Sequence, residues 1–131
     1  GMESRPLDYK KMPRATYCQP QVTSFGYTEK EAVDMGYSVK VGRFPFRANG
    51  KALARGESDG LVKVVVYGDS GEIVGAHMIG AEVTEMLAEL TMTSLLEGSV
   101  KELGWLVHSH PTLSEAVKEA ALAVDGLAIH I

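Results

Sequence analysis

Two histidines, a proline and a glutamate lie close together near the end of the chain. The segment reads His108-Ser109-His110-Pro111-Thr112-Leu113-Ser114-Glu115. An imidazole titrates near neutral pH, and a carboxylate that accepts a hydrogen bond from one ring nitrogen fixes the tautomer of that ring and favours its charged form. His110 and Glu115 are therefore candidates for an acid–base pair that takes up and returns a proton.

The same residues have a purely structural interpretation. Thr112 and Glu115 have the spacing of a capping box, which begins a helix. A proline disfavours helical backbone angles in the residue before it, so His110 also suits a surface turn. Its peptide bond to Pro111 is of the kind that adopts the cis form at modest cost. Both interpretations stay open, because a capping carboxylate is rigid enough to orient an imidazole.

Other residues that carry chemistry are scattered. His108 and His110 would share one face of a strand, with His77 and His130 as further ligands, but this spacing is weakly specific and we expect no metal site. Cys18 is the only cysteine, which excludes an internal disulfide, and we expect it to be a small core or interface residue. There is no Gly-x-Gly-x-x-Gly after a strand and no P-loop, so we expect this chain to bind no cofactor by itself.

The bulk composition is that of one soluble globular domain. Apolar residues make up 45% and charged residues 23% of the 131 residues. The apolar runs fall short of the roughly 18–20 residues that cross a bilayer. The net charge of −4 argues against nucleic acid or an anionic membrane as a partner. A single cysteine fits a reducing compartment, so we expect a cytoplasmic protein.

The first residues differ in character from the rest. Gly1 before Met2 is typical of a cleaved expression tag, and residues 1–16 are polar, contain two prolines and show no period. We interpret residues 1–16 as an extended lead-in. We expect residues 1–12 to be a tag remnant and lead-in segment, and residues 13–131 to form the domain, which makes the chain a candidate fragment of a longer protein.

Periodicity and turn residues predict the elements that must position these side chains. A capping box at Thr28 and Glu31 begins a short helix that ends at Gly36, Asn49-Gly50 marks a turn, and Gly68-Asp69-Ser70-Gly71 closes a hairpin. The predicted strands are 21–27, 37–44, 61–67 and 72–79. The predicted helices are 81–97, 100–106 and 113–124, with a helical turn at 51–55.

Grouped strands followed by grouped helices indicate an α+β domain, in which an antiparallel β-sheet is flanked by helices. The helix over 81–97 carries a broad apolar stripe. Its members are Val83, Met86, Leu87, Leu90 and Thr91, widened by Met92, Leu95 and Leu96. We expect most of these side chains in the core, while part of the helix could bury against a second copy of the chain.

The histidine segment, continued by Ala116-Val117-Lys118-Glu119-Ala120-Ala121, resembles the C-terminal signature of dihydrolipoamide dehydrogenases. Further segments agree in the same order, and the resemblance covers roughly residues 10 to 131. They are Pro13-Arg14-Ala15-Thr16-Tyr17, Gly26-Tyr27-Thr28-Glu29, Phe46-Arg47-Ala48-Asn49, Gly60-Leu61-Val62-Lys63 and Gly75-Ala76-His77-Met78-Ile79-Gly80.

The resemblance implies the dimerisation domain of a pyridine nucleotide-disulfide oxidoreductase, whose FAD domain, NAD domain and redox-active CxxxxC pair lie upstream. It implies that His110 is the catalytic acid–base and Glu115 its orienting partner, and that both act on the active site of the partner subunit of a homodimer. It further implies a cis His110-Pro111 bond near the partner's FAD. The substrate would be a dihydrolipoyl group on a protein of a multienzyme complex, with NAD as electron acceptor, and the isolated chain would be inactive.

Two other functions fit the same residues. In the first, the chain is a stand-alone dimeric module without redox activity, and the His110–Glu115 pair is only a cap. In the second, it is the same domain of a sister disulfide reductase. Glutathione reductases share the His-Pro-Thr and a nearby glutamate, but the flanking residues resemble the lipoamide enzymes more, and mercuric reductases usually lack the histidine.

Overall fold

Within residue 4 and residues 6–131, which the computed structural model describes, five strands form one antiparallel sheet. The strands are β1 (Arg14–Thr16), β2 (Gln21–Gly26), β3 (Val39–Pro45), β4 (Leu61–Tyr67) and β5 (Ile73–Gly80). The helices are α1 (Glu29–Asp34), α2 (Gly50–Arg55), α3 (Val83–Leu95), α4 (Val100–Trp105) and α5 (Glu115–Ala123), with a 3₁₀ turn at Phe46–Ala48. The predicted α+β class is confirmed.

The sheet is built around the predicted hairpin. The strand order is β1-β2-β5-β4-β3, and every neighbouring pair is antiparallel. β4 and β5 are adjacent along the chain and pair directly, with a β-bulge between Val65 and Val66. The run of valines in β4 fits a pleated strand that is covered on its faces.

Helices pack on the sheet and bring the end of the chain to it. α5 packs on β3 and β4, α3 packs on β2 and β5, and α4 packs on α5. At Gly42 in β3, a Cβ atom would lie 1.9 Å from the backbone oxygen of Ala120. Only glycine permits this approach, so Gly42 sets how closely α5 lies against the sheet. The largest buried side chains include Phe25, Phe44, Phe46, Ile73, Leu90 and Val117.

The lead-in interpretation of residues 1–16 is wrong for its last residues. Arg14, Ala15 and Thr16 form the edge strand β1, which pairs with Thr23 and its neighbours in β2. The Thr23 hydroxyl also donates a hydrogen bond to the backbone oxygen of Arg14 at 3.0 Å. A strand of three residues is too short to show a period, so periodicity does not predict it.

The apolar stripe on α3 is narrower than its sequence predicts. Met92, Leu95 and Leu96 are 55%, 51% and 72% exposed, so the expectation that Met92 and Leu95 lie in the core is wrong. Burial of part of this helix against a second copy stays a prediction. The buried position belongs instead to Ser94, whose hydroxyl donates to the backbone oxygen of Ile73 at 3.1 Å. The predicted core side chains Val83, Met86, Leu87 and Leu90 are buried.

Candidate functional site

An irregular segment between α4 and α5 carries His108 and His110. α4 begins at a capping box in which Ser99 is the N-cap and Glu102 the returning carboxylate, and α5 begins at Glu115. Residues 106–114 between these helices contain neither helix nor strand. The His110-Pro111 peptide bond is cis, as the resemblance implies.

His110 and Glu115 meet, as their spacing predicts. The distance from His110 Nδ1 to Glu115 Oε1 is 2.9 Å. The His110 side chain is 77% exposed, whereas that of Glu115 is 28% exposed. Because Glu115 engages Nδ1, the other nitrogen, Nε2, is the one left to exchange a proton with a group outside the domain.

Glu115 is also fixed to the backbone. Its Oε2 accepts a hydrogen bond from the Thr112 N–H at 2.8 Å. Burial opposes the charge of this carboxyl, but the hydrogen bonds from Thr112 and His110 outweigh burial and lower the pKa of Glu115 below its usual value. The group is therefore ionised at neutral pH and is held by two donors at once.

The predicted capping box at Thr112 is only half formed. Glu115 returns to the Thr112 N–H, but the Thr112 hydroxyl donates to the backbone oxygen of Ser109 at 2.8 Å instead of accepting from α5. Ser114 occupies the N-cap position without a side-chain hydrogen bond. Glu115 thus has both of the roles that the sequence left open, because it is part of a helix cap and also the partner of an imidazole.

His108 belongs to a separate pair. Its Nε2 lies 2.7 Å from Oε1 of Glu89 on α3, and its side chain is 7% exposed. The two histidines therefore do not share a face of a strand. His77 contacts the backbone oxygen of Tyr27 through Nε2 at 3.0 Å. In the described part of the chain, no three histidine, cysteine, aspartate or glutamate side chains are grouped so as to hold a metal ion.

Asn49 ties the segment to another part of the domain. Its Nδ2 donates to the backbone oxygen of Thr112 at 3.0 Å, and its Oδ1 accepts from the Ala52 N–H at 2.9 Å, which caps α2. Asn49 is only 3% exposed. The sequence marked it as a turn residue and missed this contact, because Thr112 lies far away along the chain.

A third histidine–glutamate pair, Glu119 and His130, lines the same surface cleft as His110. His110, Glu115, Glu119 and His130 all line one shallow cleft, together with Asn49 and neighbouring residues. Glu119 is 4% exposed, and its Oε1 lies 2.7 Å from His130 Nδ1 while its Oε2 accepts from the Ile129 N–H at 2.8 Å. From the sequence, His130 was a candidate metal ligand only, and its pairing with Glu119 was not predicted.

The structure contradicts one of the two roles expected for Cys18. Cys18 is exposed, so the expectation of a core residue is wrong, while a place in an interface stays a prediction. Its neighbours include Pro20, whose backbone oxygen lies 3.0 Å from the Cys18 sulfur.

No helix within the described ranges is both long enough and apolar enough to cross a membrane.

The fold and the sequence together define the family. A family model described as the pyridine nucleotide-disulphide oxidoreductase dimerisation domain matches residues 12–121. Because this match covers most of the chain, the chain belongs to that family.

Within the family, the similar curated relatives are dihydrolipoyl dehydrogenases. The chain is 50% identical over 130 residues to the one from Bacillus subtilis, a match that covers 99% of this chain and 27% of the relative. It is 51% identical over 125 residues to the one from Zymomonas mobilis, covering 95% of this chain and 27% of the relative. The chain thus spans about a quarter of the length of these relatives.

A solved structure has the same fold. LpdA from Mycobacterium tuberculosis superposes with a TM-score of 0.85, covering 91% of this chain and 26% of that chain, at 18% sequence identity. At this identity the likeness shows the fold alone.

Proposed function

We propose that this chain is the dimerisation domain of a dihydrolipoyl dehydrogenase-like flavoenzyme, and that His110 and Glu115 act as an acid–base pair in the active site of the partner subunit. One observation carries the proposal. Glu115 holds Nδ1 of an exposed imidazole while its second oxygen is fixed by the Thr112 N–H. A rigid carboxylate behind an accessible ring is the arrangement that general base catalysis requires.

The proposed proton transfer activates a thiol. A thiol is a poor nucleophile until it is deprotonated. Nε2 of His110 takes the proton from one dihydrolipoyl thiol as its sulfur attacks one sulfur of the enzyme disulfide, and the other enzyme sulfur leaves as a thiolate. The second dihydrolipoyl thiol then passes its proton to the enzyme thiolate, and its sulfur displaces the enzyme sulfur that was attacked first. That sulfur leaves with the proton held by His110, so the lipoyl disulfide closes and the enzyme dithiol is reduced. Glu115 stabilises the imidazolium that forms.

The proposal assigns FAD and NAD to other parts of the full-length protein. When bound there, FAD and NAD would supply the electron acceptors for the reduced dithiol. His110 and Pro111 are both exposed, which leaves them accessible to the partner subunit's FAD. The substrate is a lipoyl-bearing protein of a multienzyme complex, and the single cysteine supports a cytoplasmic location.

An exposed apolar surface supports the homodimer. Large apolar side chains are exposed at the C-terminal ends of α3 and α4 and directly after these helices, and the second group precedes the histidine segment. They are Met92, Leu95, Leu96, Trp105, Leu106 and Val107. Apolar side chains that are exposed to water are stabilised when a partner covers them. A second copy that covers this surface would approach the segment that carries His110.

The test uses a chimeric enzyme, defined as the Bacillus subtilis dihydrolipoyl dehydrogenase in which this chain replaces the matching quarter. We expect His110→Ala to lower lipoamide-linked turnover at least about 100-fold, the scale of general acid–base catalysis. Glu115→Gln should lower it less, because the amide keeps a hydrogen-bond acceptor for Nδ1 while it loses the charge. Flavin content and dimer mass serve as controls and should equal those of the unmodified chimera.

Two results would contradict the proposal. Unaltered turnover of the His110→Ala chimera would exclude the acid–base role. A chimera with the intact pair that binds flavin but remains monomeric would exclude the dimerisation role of this chain.

A further inference from the structure

The position of the His110 imidazole depends on its backbone. The ring is 77% exposed, and its side-chain contact is the hydrogen bond to Glu115. Residues 106–114 lie outside helices and strands, so no ladder of backbone hydrogen bonds fixes them. Two side chains hold this segment instead, one on each side of His110. They belong to Glu89 in α3 and to Asn49, the N-cap residue of α2.

Glu89 holds the segment before His110. Its Oε1 lies 2.7 Å from Nε2 of His108, whose side chain is 7% exposed. The other ring nitrogen of His108 is buried and has no hydrogen-bond partner among the described residues. Without Glu89, both ring nitrogens would be buried and unpaired, so the ring would turn toward water and move the backbone two residues before His110.

Asn49 holds the segment after His110. Its Nδ2 donates to the backbone oxygen of Thr112, two residues after His110, at 3.0 Å. Its Oδ1 caps α2, and the residue is 3% exposed, so the amide is fixed at both ends. Thr112 is also the residue whose N–H binds Glu115, so a shift of Thr112 would move the carboxylate as well as the imidazole.

Resting on the proposed function, we propose that Glu89 and Asn49 are positioning residues that hold the two flanks of His110 and so fix where its imidazole meets the substrate thiol. Neither side chain touches the reacting atoms in this account. Their effect passes through His110, and a displacement of about 1 Å at a reacting group costs about 100-fold in rate. Glu89 lies on α3, so the same contact links the helix next to the proposed dimer surface to the histidine segment.

Matched variants of the chimeric enzyme test the proposal. Glu89→Ala removes the acceptor of His108, and Asn49→Ser removes the donor to Thr112 while it keeps a good N-cap residue for α2. We expect each to lower kcat about 10- to 100-fold with little change in KM. Glu89→Gln, which keeps an acceptor for Nε2–H, should retain most of the turnover. Glu85→Ala, an equal loss of charge at an exposed site on α3, is the control and should leave kcat unchanged.

A double-mutant cycle separates positioning from general damage. In a His110→Ala background, Glu89→Ala and Asn49→Ser should cause no further loss of turnover, because the group they position is absent. Damage to the fold would lower turnover by the same factor in both backgrounds. If Glu89→Ala does not yield a flavin-loaded dimer, Asn49→Ser decides by the same criteria.

The outcomes distinguish the two proposals. Unchanged kcat in Glu89→Ala and Asn49→Ser would overturn the positioning roles while leaving the effect of His110→Ala intact. A loss that persists in the His110→Ala background would overturn them as well. Failure of the proposed function would give a different result, because the turnover of the single variant His110→Ala would then equal that of the unmodified chimera.

Discussion

The two oxygens of Glu115 accept different hydrogen bonds. Oε2 binds the Thr112 N–H and Oε1 faces Nδ1 of His110. Burial disfavours the charge, yet these hydrogen bonds lower the pKa of Glu115, so the carboxylate keeps its charge over most of the range in which an imidazole titrates. At the scale of the residue, this allows one side chain to cap a helix and to stabilise an imidazolium.

The lowered pKa of Glu115 predicts a pH-dependent stability. Because the pKa is lower in the folded chain than in the unfolded one, the contribution is full above the usual value of 4.5 and is lost as pH falls through the lowered value. We expect Glu115→Gln to destabilise the 131-residue chain near pH 7, and the difference from the unsubstituted chain to shrink as the pH falls through the lowered pKa of Glu115, because the protonated carboxyl then resembles the amide. Urea unfolding at several pH values measures this.

A control accounts for the lost charge. Glu85→Gln removes the same charge from an exposed position in the first turn of α3. A difference between Glu115→Gln and the unsubstituted chain that stays constant from neutral to acid pH would show that the charge of Glu115 does not contribute to folding.

The sequence predicted the local pair and missed the distant contacts. His110 and Glu115 are five residues apart, so their meeting could be predicted from a turn and a helix start. Glu89 is 19 residues from His108, and Asn49 is 63 residues from Thr112. Such contacts depend on how α3, α2 and the histidine segment pack, and no local pattern in one sequence records that packing.

At the scale of the element, one glycine decides how α5 meets the sheet. Gly42 lies in β3 directly beneath Ala120 of α5, where a Cβ would be 1.9 Å from a backbone oxygen. α5 begins with Glu115, so the distance between this helix and the sheet also determines where Glu115 lies relative to the sheet. A backbone oxygen cannot move aside as a flexible side chain can, so the whole helix would have to shift.

Gly42→Ala should therefore destabilise the chain. We expect a loss of at least about 1–3 kcal/mol in the free energy of unfolding, the scale of overpacking in a core. Gly50→Ala is the matched control, because a Cβ at Gly50 meets nothing within 4 Å and Gly50 begins α2. It should be neutral or stabilising by up to about 1 kcal/mol. Equal unfolding free energies for the two variants would contradict this account of the packing of α5.

Elements with strong local signals were predicted, and the others were not. The capping box at Thr28 and Glu31 begins α1 as predicted, and both of its hydrogen bonds are formed. The edge strand β1 was missed because three residues show no period. The apolar stripe of α3 predicted too wide a core, since periodicity reports which side chains are apolar and not which of them the same chain covers.

In the molecule as a whole, several large apolar side chains remain exposed because no other part of the described chain covers them. Leu96, Trp105 and Val107 are 72%, 75% and 86% exposed. In the proposed dimer these side chains contact the partner subunit, and the exposed His110 faces a site that the partner supplies. The family could be recognised from the sequence because its motifs are local.

Mixed dimers of the chimeric enzyme test whether His110 acts on the active site of the partner subunit. One subunit carries His110→Ala, and the other carries a Cys→Ser change in the redox disulfide that the resemblance places upstream. If His110 acts across the dimer, each pure dimer is inactive, but the mixed dimer keeps one complete site, giving about a quarter of the unmodified turnover when pairing is random. If His110 acts within its own subunit, the mixture stays inactive, and this result would contradict the account.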